Sequence, residues 1–355
     1  MDLEILKKLV EFDTRSENTN LPLIYYCQKK FEEYGFETRI WGKDNKANLF
    51  AFKPAYGSRI VLSAHTDTVP PGEGWNSDPF KLEQNEDSII GLGIADMKIF
   101  IAIMLKLAQA NLAKNLAFLL TYNEETDFEG AKLIDRKIIG KSDYLIIGEP
   151  TGGKIITNSK GLVAYELELT GKGGHGSEPE NGVSSILDSS KFILELSKGF
   201  KEIQEKNKDD SFVNPLPTLN FGTISGGEAI NSIPVGTNLS FEIRTTNAAV
   251  EKIFNELIKK TSKSLKSSVS FTKKISLNPF VSSGKVVKII KKSGLPVEKG
   301  PSYATEANIL ADICPNAVIF GPGEIKYAHK ENEKISFKGI VKYKKDLTYL
   351  ISVLK

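Results

Sequence analysis

RIVLSAHTD, residues 59–67, decides how this chain is read. Its first six residues form an apolar run of strand length, and His65 and Asp67 follow at once. A short continuous apolar run suits a strand buried on both faces. Polar groups just behind it stand where the strand would leave a sheet, and open α/β sheets bind ligands at that carboxyl edge. The arrangement recurs. LAFLLTY (116–122) precedes Glu124 and Glu125, and DYLIIG (143–148) precedes Glu149. Asp96, in GLGIADMK (91–98), is read as starting a helix and could reach the same edge. His329 follows the apolar run of NAVIFGPG (316–323) after a short glycine-containing loop.

Outward from these strands, helical and strand-like patterns alternate. Leu3, Leu6, Leu9 and Val10 recur on one helical face, and amphipathic or apolar helical runs cover 21–34 and 100–110. With the strand ANLFAF (47–52) they argue for a layered α/β domain. The pattern changes after Pro150 to strand, helix, two strands, helix, strand. The strands are LVAYELELTG (162–171), TLNFGTIS (218–225), GTNLSFEIRT (236–245) and SVSFTKKI (268–275), and the helices cover 184–203 and 250–264. Apolar and polar residues alternate in these strands, as in a sheet with one solvated face. Helix and apolar-strand patterns then resume to a final helix near Leu347. The fold class expected is therefore an α/β layered domain with a mixed sheet over residues 1–160 and 277–355, interrupted by an α+β domain over 161–276.

Composition narrows the function. Hydrophobic residues make up 40% and charged residues 26% of 355, ordinary for a globular protein. With 47 basic against 44 acidic residues the net charge is +3, which speaks against nucleic-acid binding. The run KKTSKSLK (259–266) is read as a solvated helix face. Two distant cysteines, Cys27 and Cys314, suit a reducing compartment. The first residues lack the apolar core of a signal peptide, and no stretch reaches the roughly 20 apolar residues of a membrane span. A cytoplasmic protein without membrane or nucleic-acid partners is expected.

Carboxylates gathered at one sheet edge repel one another and raise one another's pKa values, and divalent cations relieve that repulsion. Zinc accepts imidazole nitrogen and carboxylate oxygen, and a carboxylate shared between two metals recurs among hydrolases. The cluster holds more carboxylates than one zinc needs, which favours two metals. Each residue also has a structural reading. His65 could satisfy a backbone carbonyl, Asp96 could cap a helix, Glu124 and Glu125 could be a solvated pair, and Glu149 could end a strand.

The chain resembles the M20 metallopeptidases, the group containing acetylornithine deacetylase, succinyl-diaminopimelate desuccinylase and carboxypeptidase G. The resemblance is carried by SAHTDTVP (63–70), WNSDPF (75–80), GLGIADMK (91–98), TYNEET (121–126) and IGEPT (147–151). It continues in GKGGHGSEPENG (171–182), GGEAINSIP (226–234), FEIRTT (241–246) and GPGEIKYAH (321–329), in the family's order and over nearly the whole chain. It implies that His65, Asp96 and Glu149 hold one divalent metal and Asp96, Glu125 and His329 a second, with Asp96 bridging. Zinc is the metal expected, with cobalt able to serve. Glu124 would take a proton from the attacking water, from the opposite side of an extended chain to Glu125, and Asp67 would orient the His65 imidazole. The inserted domain would be a lid that also makes a homodimer contact, and His175 would reach in from the lid of the partner subunit to stabilise the oxyanion. Arg244 and Asn231 would bind the amino-acid carboxylate.

One departure is that Ile99 and Phe100 follow Lys98 where the family usually has glycine, which would alter packing behind Asp96. The small residue before the lid histidine is present as Gly174. SYATEANI (302–309) and GPGEIKYAHKENE (321–333) look like the deacetylase branch, and the Ser-Asp-Gly-Arg-Phe segment of desuccinylases is absent. The expected substrate is thus a small N-acyl amino acid such as N-acetylornithine, which would place the chain in arginine biosynthesis. Desuccinylase, dipeptidase or carboxypeptidase activity and a non-catalytic metal-binding role are the alternatives. GLGIAD lacks the third glycine of a dinucleotide fingerprint.

Overall fold

A computed structural model describes residues 3–53, 59–111, 115–134, 137 and 142–354. The chain divides into two compact units, the first formed by residues 1–157, 281–298 and 305–355 and the second by 158–280 and 299–304. Residues 299–304, which the sequence pattern assigns to the surrounding domain, go with the second unit.

In the first unit an eight-stranded sheet runs in the order Glu37–Lys43, Lys46–Phe52, Leu116–Thr121, Ile60–His65, Tyr144–Ile147, Ala317–Ile319, Ile155–Ile156, Val297–Glu298. The centre is parallel, Glu37–Lys43 and Lys46–Phe52 join antiparallel on one side, and on the other Ile155–Ile156 pairs antiparallel with Ala317–Ile319 and parallel with Val297–Glu298, so the sheet is mixed. Every residue of Ile60–His65, Leu116–Thr121, Tyr144–Ile147 and Ala317–Ile319 is buried, which is why these segments read as unbroken apolar runs. Register brings His65 level with Thr121, and Ser63 level with Ile147, so three strands end at one edge.

Helices Leu3–Glu11, Leu21–Glu33, Ile99–Ala110, Gly284–Ser293 and Phe337–Val353 pack their apolar stripes into one core with Ile60, Leu62, Phe118 and Ile146. Ile99–Ala110 is buried almost throughout. Ile99 and Phe100 start it, and the Phe100 ring lies against the backbone of Gly148, where a Cβ would come within 2.0 Å of Cδ1. The bulk that replaces the usual glycine is thus accommodated by a glycine on the neighbouring strand end, directly before Glu149.

The second unit is a four-stranded antiparallel sheet in the order Thr218–Gly226, Gly236–Thr245, Gly161–Thr170, Ser268–Leu277. Val163, Tyr165, Leu167 and Leu169 alternate with more exposed residues, and with Leu239, Phe241 and Ile243 they cover one face. Helices Ser185–Lys206 and Ala248–Ser262 close that face with Phe192, Leu196, Phe200, Val250, Phe254 and Ile258. Side chains of Ser184 and Asn247 cap the two helices. No helix among the described residues is long and apolar enough to cross a membrane.

Candidate metal site

Four of the strand ends deliver the polar groups expected of them. His65 is the last residue of its strand, and its Nδ1 lies 2.9 Å from the main-chain oxygen of Asp67. A carbonyl only accepts, so Nδ1 carries the proton and Nε2 of the neutral ring is left with a lone pair. That Nε2 lies 3.0 Å from Asp96 Oδ1, where two lone pairs would meet unless a proton or a cation lies between them. The other carboxylate oxygen of Asp96, Oδ2, is 3.4 Å from His329 Nε2, which is also 2.9 Å from Glu125 Oε1. Asp96 therefore faces both imidazoles, one with each oxygen.

Three groups bring their donor atoms within 4.8 Å of one another: His65, Asp96 and Glu149; Asp96, Glu125 and His329; His65, Glu124 and Glu125. His65, Asp96 and Glu149 are buried, whereas His329 is about half exposed, at 48% of its side chain. One oxygen of Glu149, Oε1, is buried without a hydrogen-bond partner. A buried carboxylate oxygen left bare is costly, and a hard cation would satisfy it. The donor set fits a divalent metal on those grounds.

Burial and mutual repulsion work against ionisation of most of the cluster's carboxyl groups. Burial, and then the charge of Glu149, push Glu124 well above the usual carboxylate range; burial and Asp96 do the same to Glu149. Burial raises Glu125 against the pull of His329. Asp96 is held below its ordinary value, burial notwithstanding, by hydrogen bonds from His329 and His65. Those bonds in turn raise His329, with Glu125, to about 10, and His65 rises against a desolvation that opposes it.

Three expectations need correcting. Asp96 does not start or cap a helix: it lies in irregular backbone with φ −132° and ψ 85°, and the regular helix begins at Ile99. Glu124 and Glu125 are not on opposite sides of an extended chain, because 124–127 form a turn after Asn123 at φ 59°, and both carboxylates join groups with His65. The Asp67 carboxylate is not the group that holds the imidazole. Its Oδ1 stands 3.8 Å from Nδ1, while its two oxygens accept the N–H groups of Glu124 and Glu125, each at 3.1 Å, and the hydroxyl of Ser16 at 2.8 Å.

Two further buried acids stand beside the cluster, Glu306 within SYATEANI (302–309) and Glu333 at the end of GPGEIKYAHKENE (321–333), segments whose resemblance to the deacetylase branch gives neither residue a role. Glu333, 2% exposed, accepts N–H groups of Gly93 at 2.7 Å, Ala95 at 2.6 Å and Asp96 at 3.0 Å. Burial and the Asp96 charge push its carboxyl up to about 8 against those three donors. Glu306 is wholly buried, and burial takes it to about 7, with Thr121 and His65 opposing. The sequence signal for Glu333 is its place at the end of GPGEIKYAHKENE, four residues after His329.

The remaining candidates lie in the second unit. His175 is exposed, with Nδ1 2.7 Å from Ser177 Oγ, and Asn231 sits beside it, its carbonyl accepting the Gly176 N–H at 2.8 Å. Arg244 Nε donates to Glu242 Oε1 at 2.9 Å, two residues along the same strand.

A mixed α/β sheet with imidazoles and carboxylates converging at the carboxyl ends of its strands places the chain among α/β proteins whose strand ends can hold divalent metals. The chain belongs to peptidase family M20/M25/M40, whose model matches residues 61–353. Acetylornithine deacetylase of Buchnera aphidicola subsp. Schizaphis graminum (strain Sg) is 35% identical, with 98% of this chain and 97% of that protein covered. The acetylornithine deacetylase of Pasteurella multocida is 33% identical over 96% and 92%. Among solved structures, aminopeptidase PepT of Bacillus cereus superposes with a TM-score of 0.80 at 22% identity, covering 99% of this chain and 97% of its own. The M20 family metallo-carboxypeptidase of Sulfolobus solfataricus does so at 0.76 and 18%, covering 100% and 99%. The curated relatives carry deacetylase names; the structural neighbours establish the fold.

Proposed function

We propose that this protein is a dinuclear metal-dependent amidohydrolase that removes an acetyl group from an N-acetyl amino acid such as N-acetylornithine. The observation that carries the reading is Asp96, whose oxygens lie 3.0 Å from His65 and 3.4 Å from His329, so that one carboxylate serves two donor groups. His65, Asp96 and Glu149 would hold one cation, and Asp96, Glu125 and His329 the other, zinc in both, with cobalt able to substitute. Bound cations there supply Lewis acidity, polarising the acyl carbonyl and lowering the pKa of a water toward about 7.

The chain's own residues do the rest. Glu124, buried in the same cluster and otherwise pushed toward protonation, takes the proton of the attacking water and passes it to the departing amine. Asp67 holds the Glu124–Glu125 turn by both backbone N–H groups, so that base and ligand keep a fixed offset. The second unit acts as a lid and homodimer contact in the cytoplasm: His175 of the second subunit stabilises the oxyanion, and Arg244 and Asn231 take the substrate carboxylate. The length of the shared sequence with deacetylases favours the acetyl substrate.

The test is turnover of the zinc-loaded protein on N-acetylornithine, N-succinyl-diaminopimelate and a dipeptide, each with and without EDTA. Metal-dependent cleavage of the acetyl substrate is expected. Cleavage of the succinyl or dipeptide substrate alone would move the chain to another branch, and no metal-dependent cleavage at all would end the hydrolase reading.

A further inference from the structure

Glu333 has no place in the chemistry above, yet both oxygens of this buried acid are occupied by backbone donors. Its Oε1 accepts from Ala95 and Asp96, and its Oε2 accepts from Gly93. These N–H groups belong to a segment that is not regular helix, with Gly93 at φ 70° and Asp96 at φ −132°, so no helical carbonyl takes them. Left without acceptors, three buried donors would force that segment to rearrange. The Asp96 N–H is attached to the Cα that bears the carboxylate shared between His65 and His329, so any shift there is carried directly to that carboxylate.

The clamp is itself anchored. The Glu333 carbonyl accepts the Gly91 N–H at 3.1 Å, and the strand Lys334–Ser336 that begins at the next residue pairs with Ser88–Ile90. Asn332, one residue earlier, accepts the Asn76 N–H at 2.9 Å. Four residues upstream of Glu333 stands His329, held at φ 57° and facing both Glu125 and Asp96. One side chain thus ties the loop that carries His329 to the segment that carries Asp96.

We propose that Glu333 is a positioning residue that sets the spacing of Asp96 and His329 and thereby the affinity of the cation they share. The inference rests on the reading of this cluster as a cation site. It needs two acceptor oxygens: an amide offers one, and its NH2 would face either the Gly93 N–H or the Ala95 and Asp96 pair. Outer partners that orient ligands typically change metal affinity by about 10–100-fold when lost.

The experiment uses the full-length metal-free protein, Glu333→Gln and Glu333→Asp, titrated with Zn(II) against a chromophoric chelator and with Co(II) followed by its visible absorption. Melting temperatures of the metal-free forms report folding separately. Wild type should bind both ions, and each folded variant should lose about 10–100-fold in the affinity of one site. The Co(II) spectrum of that site should change, while the metal-free variants melt cooperatively at a lowered temperature. If wild type binds neither ion, the cation-site reading fails and takes this inference with it. If wild type binds and a folded variant stays within about twofold with an unchanged spectrum, the inference alone is overturned. Failure of both variants to fold also overturns it, because Glu333 would then be a structural requirement and not a positioning device.

Discussion

The helix-covered sheet of the second unit and the polar edge of the first are built on opposite plans. In the former, each contact is a consequence of local periodicity: Tyr165, Phe241 and Phe254 pack with ring centroids 5.3–6.3 Å apart because strand alternation and helical spacing put them on facing surfaces. In the latter, buried charged groups lie on backbone with no regular repeat, and distant acids hold it in place. Asp67 reaches 57 and 58 positions along the chain to Glu124 and Glu125; Glu333 reaches 237 to 240 positions back to Asp96, Ala95 and Gly93. The scaffold is thus specified by apolar burial and the site by satisfied backbone donors. Substitutions should therefore separate into those that cost stability and those that cost chemistry.

The largest effect should come from the chemistry. Glu124→Ala should lower kcat by about 10²–10⁴-fold, the usual contribution of a positioned base, while bound metal, read by elemental analysis, stays at the wild-type level. Retention of more than about a tenth of the wild-type rate would remove Glu124 from the role of base. Next is Phe254→Ala. This ring is wholly buried against Tyr165, Phe200 and Phe241, and removing it should cost about 3–5 kcal/mol. Denaturant unfolding would show that loss, and Zn(II) affinity should be unchanged. A parallel loss of zinc affinity would mean that the two plans are not separable.

The same division explains how far sequence alone reaches into the fold and the site. The strands of both units follow from run length and alternation, as Ile60–His65 and Gly161–Thr170 illustrate. Most of the cluster is legible because His65, Glu124, Glu125 and Glu149 stand at the ends of buried strands, and parallel register levels those strands. The conformation of the connecting segments is not. Asp96 reads as a helix start, and Glu124 and Glu125 read as extended, since nothing local encodes a carboxylate arriving from elsewhere to hold them. Glu333 is hidden for the same reason: GPGEIKYAHKENE resembles a branch of the family without giving this glutamate a role, and only the fold turns it inward. The short edge strand Glu37–Lys43 gives no signal either, because its residues are only partly buried and carry no apolar run.

Gly148→Ala probes the place where the two plans touch within the first unit. A Cβ here would stand 2.0–2.4 Å from three atoms of the Phe100 ring, and the ring, packed at 6.3 Å from Tyr343, has little room to retreat. Overpacking of this kind typically costs about 1–3 kcal/mol. Because Glu149 is the next residue, a drop in zinc affinity should accompany the lowered melting temperature. Adding Phe100→Ala should restore part of the zinc affinity, and the double variant should lose less stability than the sum of the two single losses. A Gly148→Ala protein with normal melting would show that the ring moves freely, and the account of how Ile99 and Phe100 are accommodated would be wrong.

The smallest effects should come from paired helix caps, one in each unit. Ser184 Oγ accepts the Leu187 N–H at 3.3 Å, and Ser336 Oγ accepts the Gly339 N–H at 3.0 Å. Either serine replaced by alanine should cost about 1 kcal/mol. Melting temperatures of the two variants should fall by similar small amounts, since the chemistry removed is the same. Their zinc affinities form the sharper contrast. Ser184→Ala has no route to the ligands through its own helix, and should leave affinity untouched. Ser336 ends the short strand that begins one residue after Glu333 and is paired with Ser88. If the clamp depends on that strand, Ser336→Ala should weaken zinc by a few-fold at a stability cost no larger than that of Ser184→Ala. Equal affinities in the two variants would show that the Glu333 carboxylate holds its three N–H groups whatever happens at the far end of the strand.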